Sequence, residues 1–168
     1  MFEHQNFHPG YVHSDHRREW DCFLNDNVRS IYNLTRLCFT HLRKTKGSVV
    51  VISSIHAYAS SDKISVYAIT KSALLGLVRN FALEWGKYGI RVNGIAPGAI
   101  DTPMLRFGAS EHGDADEVIE EWGSHHPIGR IGTPLEIAKA AMFLWSPDSS
   151  FMVGQPLVVD GGLGSIIL

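Results

Sequence analysis

A chain of 168 residues, 45% hydrophobic and 19% charged, suits one domain with a buried core and excludes a disordered segment. Its formal net charge of -2 and lack of any long basic block exclude nucleic acid and an anionic membrane as main partners, which leaves a small molecule. Cys22 and Cys38 show no CxxC spacing and fall in one predicted helix, so they read as free thiols in a reducing compartment, the cytoplasm. No apolar run reaches transmembrane length, and the opening MFEHQNFHPG has neither the basic region nor the apolar core of an export signal. His4, His8, His13 and His16 crowd the start, but no cysteine or acidic pair completes a ligand pattern, and no metal is expected.

From about residue 14 to residue 45, Trp20, Phe23, Leu24, Ile31, Leu34, Cys38 and Leu42 recur at threes and fours, one face of a long helix with room for a single break. Asn27 falls on that apolar face. An amide there costs free energy unless it is hydrogen-bonded or put to use, so a satisfied amide at a helix break and a functional amide are both open. Residues 47–53, GSVVVIS, are a short β-branched run, the pattern of a strand covered on both faces. A helix carrying Tyr67 then runs through Leu74, Leu77, Val78 and Phe81 to Trp85 and ends near Gly86 or Gly89. Residues 90–96 supply the next strand. Residues 97–132 carry no strand signal and predict one short helix, with 102–132 as a candidate lid. Thr133, Pro134 and Glu136 form a capping box that starts a helix continuing to about Trp145, and PLVVDGG supplies a third strand. Right-handed crossovers then give an α/β fold: a three-stranded, incomplete doubly wound parallel sheet with helices on both faces and its chemistry at the carboxyl ends of the strands.

Within the stretch SVYAITKSAL, Tyr67 and Lys71 stand four apart and meet on one helix face. A lysine cation about 4 Å from a phenol oxygen, at an effective dielectric near 20, favours the phenolate by roughly 4 kcal/mol. Such a pair can give and take a proton near neutral pH. Ser54, at the end of the first strand, can donate to a substrate oxygen on which negative charge develops. An amphipathic helix with a snorkelling lysine, and a turn serine, are the structural alternatives.

The segments NDNVRS, VVISS, YAITK, RVNGIAPGAIDTPM and LVVDGG, in this order and spacing, resemble the second half of a short-chain dehydrogenase/reductase. The likeness runs from about Phe7 to Gly162 and implies a Rossmann-like three-layer fold, residues 1–168 forming a single domain that is the catalytic half. It also implies an NAD(P)-dependent alcohol/carbonyl oxidoreductase. By the same resemblance Asn27, Ser54, Tyr67 and Lys71 are the catalytic set, with Asn27 holding a water that links Lys71 to solvent. Tyr67 and Lys71 also reach the cofactor. Pro97, Gly98, Ile100 and Thr102 cradle the nicotinamide, Ile100 through its backbone. Ser54, His56, Tyr67 and Met104 meet the substrate, with Ile55, Tyr58, Leu105 and Phe107 as further pocket candidates.

The family's glycine-rich pyrophosphate turn has no counterpart: among the sixteen glycines neither GxxxGxG nor GxGxxG occurs. NAD or NADP is therefore expected to bind weakly, and the first strand to present an open edge. The alternative reading is a truncated, non-catalytic fragment that only associates with other subunits. Phe39, Leu75 and Trp85, off the main stripes, and the C-terminal LGSIIL predict exposed apolar surface and a homo-oligomer, dimer or tetramer.

Overall fold

The computed structural model describes residues 17–62 and 64–165. The four N-terminal histidines and the last three residues of LGSIIL lie outside the described residues. The described residues begin with α1 (Arg17–Leu24), a π-helical turn (Asn25–Arg29) and α2 (Ser30–Thr45), which follow one another without a break. There follow β1 (Ser48–Ile52), α3 (Ser65–Trp85), β2 (Arg91–Pro97), α4 (Pro103–Ser110), α5 (Ala115–Ser124), α6 (Pro134–Trp145) and β3 (Pro156–Val159).

The strands lie in the order β1-β2-β3, all parallel, with Ser48 opposite Arg91 and Gly94 opposite Pro156 at the starts of the two ladders. Parallel neighbours require crossovers, which α3 supplies between β1 and β2, and α6 between β2 and β3. Side chains alternate across a strand, so each sheet face gathers its own core. Val51 and Val92 join Leu74, Val78, Phe81 and Trp85 of α3 on one face. Ile95, Val50 and Leu157 join Ala141 and Leu144 of α6 on the other. The result is three layers, as the sequence predicts. Between the layers Asn93 is fully buried, its amide donating to the Met152 carbonyl at 2.7 Å and its oxygen accepting the Gln155 N–H at 3.1 Å. A buried amide so paired fixes the entry to β3 at little cost. In the described sheet β1 pairs with β2 alone, which leaves its other edge free.

Three expectations change. The 97–132 segment holds two helices rather than one. Thr102 caps α4 by accepting the Leu105 N–H at 3.2 Å, with Pro103 at the first position. Asp114 caps α5 by accepting from Asp116 and Glu117, and the acidic first turn suits the helix dipole. Second, Thr35 is buried while Leu34 is 62% exposed. A π turn closes five residues back, as the Ser30 N–H to Asn25 carbonyl bond does here, and so takes in one extra residue and rotates the following helix face by one position. Third, Leu75 and Trp85 are core residues, 5% and 7% exposed, and Phe39 is half-buried with its ring 5.0 Å from that of Trp85. The large exposed apolar side chains of α2 and α3 are instead Tyr32, Leu34, Leu37, Ile69 and Leu83. The capping box is present as predicted, with Thr133 N–H donating to the Glu136 carboxylate at 2.8 Å. No helix among the described residues is long and apolar enough to cross a membrane.

Candidate functional site

At the carboxyl end of β1 the buried Ser53 ties strand to helix. Its N–H donates to the Ile95 carbonyl at 2.7 Å and its hydroxyl to the Lys71 carbonyl at 2.7 Å. Ser54 follows in extended conformation and caps a 3-10 turn (Ile55–Ala57) by accepting the His56 N–H at 3.1 Å. A serine hydroxyl that accepts here keeps its own proton to donate elsewhere. Tyr67, on the first turns of α3, is half-buried, and the His56 ring meets its ring edge-on at 6.0 Å. Burial lowers the His56 pKa, opposed by a hydrogen bond to the Ala59 backbone, so the imidazole beside Tyr67 is neutral at neutral pH.

Lys71 lies one turn on from Tyr67. Its Nζ sits over the tyrosine ring, 5.5 Å from the centroid, and donates to the Ile52 carbonyl at 3.4 Å. Burial pushes the ammonium below the ordinary lysine range. An ammonium with three donors and one such contact has donors to spare for a phenolate or a ligand hydroxyl. Ser54, His56, Tyr67 and Lys71 thus gather at one strand end.

Asn27 stands on a separate element, at the centre of the π turn, half-buried. Its Nδ2 donates to the Phe23 carbonyl at 3.2 Å, one turn back. Beside it the Ser30 hydroxyl donates to the Asp26 carbonyl. A π turn disturbs the helix ladder, and a side-chain donor that pairs a carbonyl there explains how an amide is held on an apolar stripe. The amide is satisfied at the break.

The loop after β2 forms the site's second wall. Gly98 donates its N–H to the Val159 carbonyl at 3.1 Å, and a Cβ added at Gly98 would stand 2.9 Å from Asp160 Cα. Its φ is not left-handed, so close backbone approach, rather than a tight turn, demands glycine here. The Ala99 carbonyl accepts the Gly132 N–H at 2.8 Å, and the Asp101 N–H donates to the Gly132 carbonyl at 2.9 Å. Along extended chain the backbone groups of successive residues face opposite ways, so the N–H and C=O of Ile100 face away from Gly132. One donor beside one acceptor suits a carboxamide, and in this the loop fits a nicotinamide. The Thr102 hydroxyl accepts the helix cap and keeps its proton.

The segment after this loop is pinned by charge. Arg106 donates to both oxygens of Asp101, at 2.7 and 2.9 Å, and to Asp116 of α5 at 3.0 Å. Of the pocket candidates, Met104 is 75% exposed and Phe107 52%, so these α4 side chains face solvent. Ile55 is buried under the turn at Gly164. One buried polar residue of this region escaped the sequence reading. His126, after α5, bonds the Ala99 N–H through Nε2 at 3.4 Å, and nothing in the run HHPIGRIG marks it out.

Comparison with known proteins gives a consistent answer. The family model described as enoyl-(acyl carrier protein) reductase matches residues 4–164. The chain is 41% identical over 146 residues to a 3-oxoacyl-(acyl-carrier-protein) reductase of Chlamydia muridarum, covering 86% of this chain and 56% of that protein. Among solved structures, the ligand-free aldohexose dehydrogenase of Thermoplasma acidophilum superposes with a TM-score of 0.91 at 33% identity, over 94% of this chain and 64% of that one. ElxO with NADP bound gives 0.83 at 30% identity, over 94% and 62%. The chain spans about half the length of the curated relatives it matches, 44% to 56% of the first three.

Proposed function

Because the chain belongs to the short-chain dehydrogenase/reductase family, we propose that it is the catalytic half of an NAD(P)-dependent oxidoreductase that interconverts an alcohol and a carbonyl. The observation that carries this reading is the gathering of Ser54, Tyr67 and Lys71 at the carboxyl end of β1, the strand paired with β2, which the loop of Gly98 and Ile100 follows. A bound nicotinamide supplies or accepts the hydride. Tyr67 gives the proton to the carbonyl oxygen in reduction and takes it back in oxidation. The Ser54 hydroxyl donates to that same oxygen as negative charge develops. Lys71, partly desolvated, places its cation against Tyr67 and has donors left for the cofactor ribose. Asn27 stands at the π turn as the relay toward solvent. The Ile100 backbone and Thr102 receive the carboxamide.

His56 and Met104 border the substrate, with residues 102–132 as its lid. The names of the relatives join a 3-oxoacyl carrier substrate with an aldohexose, so the proposal is held at a small-molecule alcohol or carbonyl. The reading places the protein in the cytoplasm as a homo-oligomer, supported by the exposed Leu34, Leu37 and Leu83.

The test joins this chain to the upstream half of a relative and follows oxidation of the reduced nicotinamide. Tyr67→Phe should lower turnover by about a hundredfold or more while keeping the ring and its packing. An unchanged rate overturns the reading. A second reading, a non-catalytic fragment, is favoured by the lack of a glycine-rich turn in 168 residues. It expects the chain alone to bind NADH or NADPH no tighter than millimolar, and a low-micromolar calorimetric result overturns it.

A further inference from the structure

His126 is 4% exposed and has a partner at each ring nitrogen. Nδ1 stands 3.0 Å from the Trp122 carbonyl oxygen and Nε2 3.4 Å from the Ala99 amide nitrogen. A carbonyl only accepts and an amide N–H only donates. The two partners therefore fix the ring: Nδ1 carries the proton and Nε2 presents its lone pair. The ring also lies against bare backbone, since a Cβ added at Gly161 would come within 3.4 Å of His126 Cδ2. Gly161 itself, with φ of 61°, sits in the turn after β3. One side chain thus joins the end of α5, the loop after β2 and the turn after β3.

We propose that His126 is a positioning residue for the nicotinamide loop, holding the Ala99 amide inward so that the Ile100 N–H and C=O stay turned to the opposite, ligand-facing side. Ala99 would otherwise be held on that inner side by one bond alone, the Gly132 N–H to its carbonyl. Through Nδ1 the same ring is tied to Trp122 of α5, so lid and loop share one anchor. The inference rests on the nicotinamide reading of the loop, but its geometry is readable without any cofactor.

The experiment is nuclear magnetic resonance on the whole chain. The ring-nitrogen shifts of His126 should report the Nδ1–H tautomer. In His126→Phe, which keeps a ring but loses both bonds, the amides of Ala99 and Asp101 should exchange with solvent about tenfold faster, while those of residues 92–96 hold their rates. His126→Gln, whose side-chain oxygen reaches toward the place of Nε2, should restore much of the protection at Ala99. The Nε2–H tautomer in the unmodified chain overturns the proposal and does not depend on any variant folding. Unchanged exchange in His126→Phe, or an equal acceleration throughout β2 that Gln does not reverse, overturns it as well, the latter by making His126 a core filler. Since no turnover is measured, these results can fail while the Tyr67 test stands, and the reverse.

Discussion

Gly98→Ala tests whether the wall of the site depends on bare backbone. The added methyl would meet Asp160 Cα at 2.9 Å, its carbonyl oxygen at 3.0 Å and its Cβ at 3.1 Å. Ordinary contact begins at 3.4 Å, so β2 and the turn after β3 must part by at least half an ångström. Two of the three atoms are backbone, and no rotamer change relieves them. Overpacking of this kind costs about 1–3 kcal/mol. Gly94→Ala is the matched control, four residues earlier and within β2, where a Cβ would meet the Val51 carbonyl oxygen at 3.6 Å and Pro156 at 3.7 Å. Both substitutions remove the same freedom from the unfolded chain, worth about 0.4–1 kcal/mol, and this cancels in the comparison. The two urea midpoints should therefore differ by the equivalent of about 1–3 kcal/mol at unchanged slope, with Gly98→Ala the weaker. In a chain of this size that is about 2–4 °C in melting temperature for each kcal/mol. Variants equal within about 0.5 kcal/mol would show that glycine at 98 serves only the chain's turn, and the close-approach argument would fail.

Lys71→Met should stabilise the chain at neutral pH. Burial lowers the folded pKa of Lys71 below the ordinary 10.5, so the unfolded chain binds more protons and the lysine's contribution to stability rises with pH. Its penalty is full below the lowered folded value and relieved as pH climbs from there to 10.5. The advantage of methionine should therefore be largest near pH ~7 and shrink by pH ~10 in denaturant titrations, and a Lys71→Met chain less stable than its parent at neutral pH would contradict it. For association, Leu83→Glu, at a position 83% exposed, should leave the fold intact and shift light scattering toward monomer, whereas Trp85→Glu, at 7% exposure, should unfold the chain. A parent chain that already scatters as a monomer at micromolar concentration would remove the proposed homo-oligomer.

Local signals carried much of the architecture. Thr133, Pro134 and Glu136 fix the start of α6 because a capping box is satisfied within four residues and needs nothing from the rest of the chain. The β-branched run in GSVVVIS and the glycines at 86 and 89 mark β1 and the end of α3 for the same reason. The spacing of Tyr67 and Lys71 was enough to put them on one helix face, since four residues make about one turn. What a local pattern cannot hold is decided by partners distant in sequence. Leu34 and Thr35 exchange places because the π turn at Asn27 rotates the stripe, and Trp85 is buried by Phe39, from a different helix. Gly98 is read as a turn until Asp160, sixty-two residues later, is found against it. His126 carries no motif, and its use appears only when the end of α5 comes to rest on Ala99. Sequence determined which side chains were available for chemistry and which helices and strands would carry them. The tertiary structure alone decided which backbone groups are spent on neighbours and which, like those of Ile100, are turned away from the Gly132 bridge, because a hydrogen bond between distant segments leaves no periodicity in the chain.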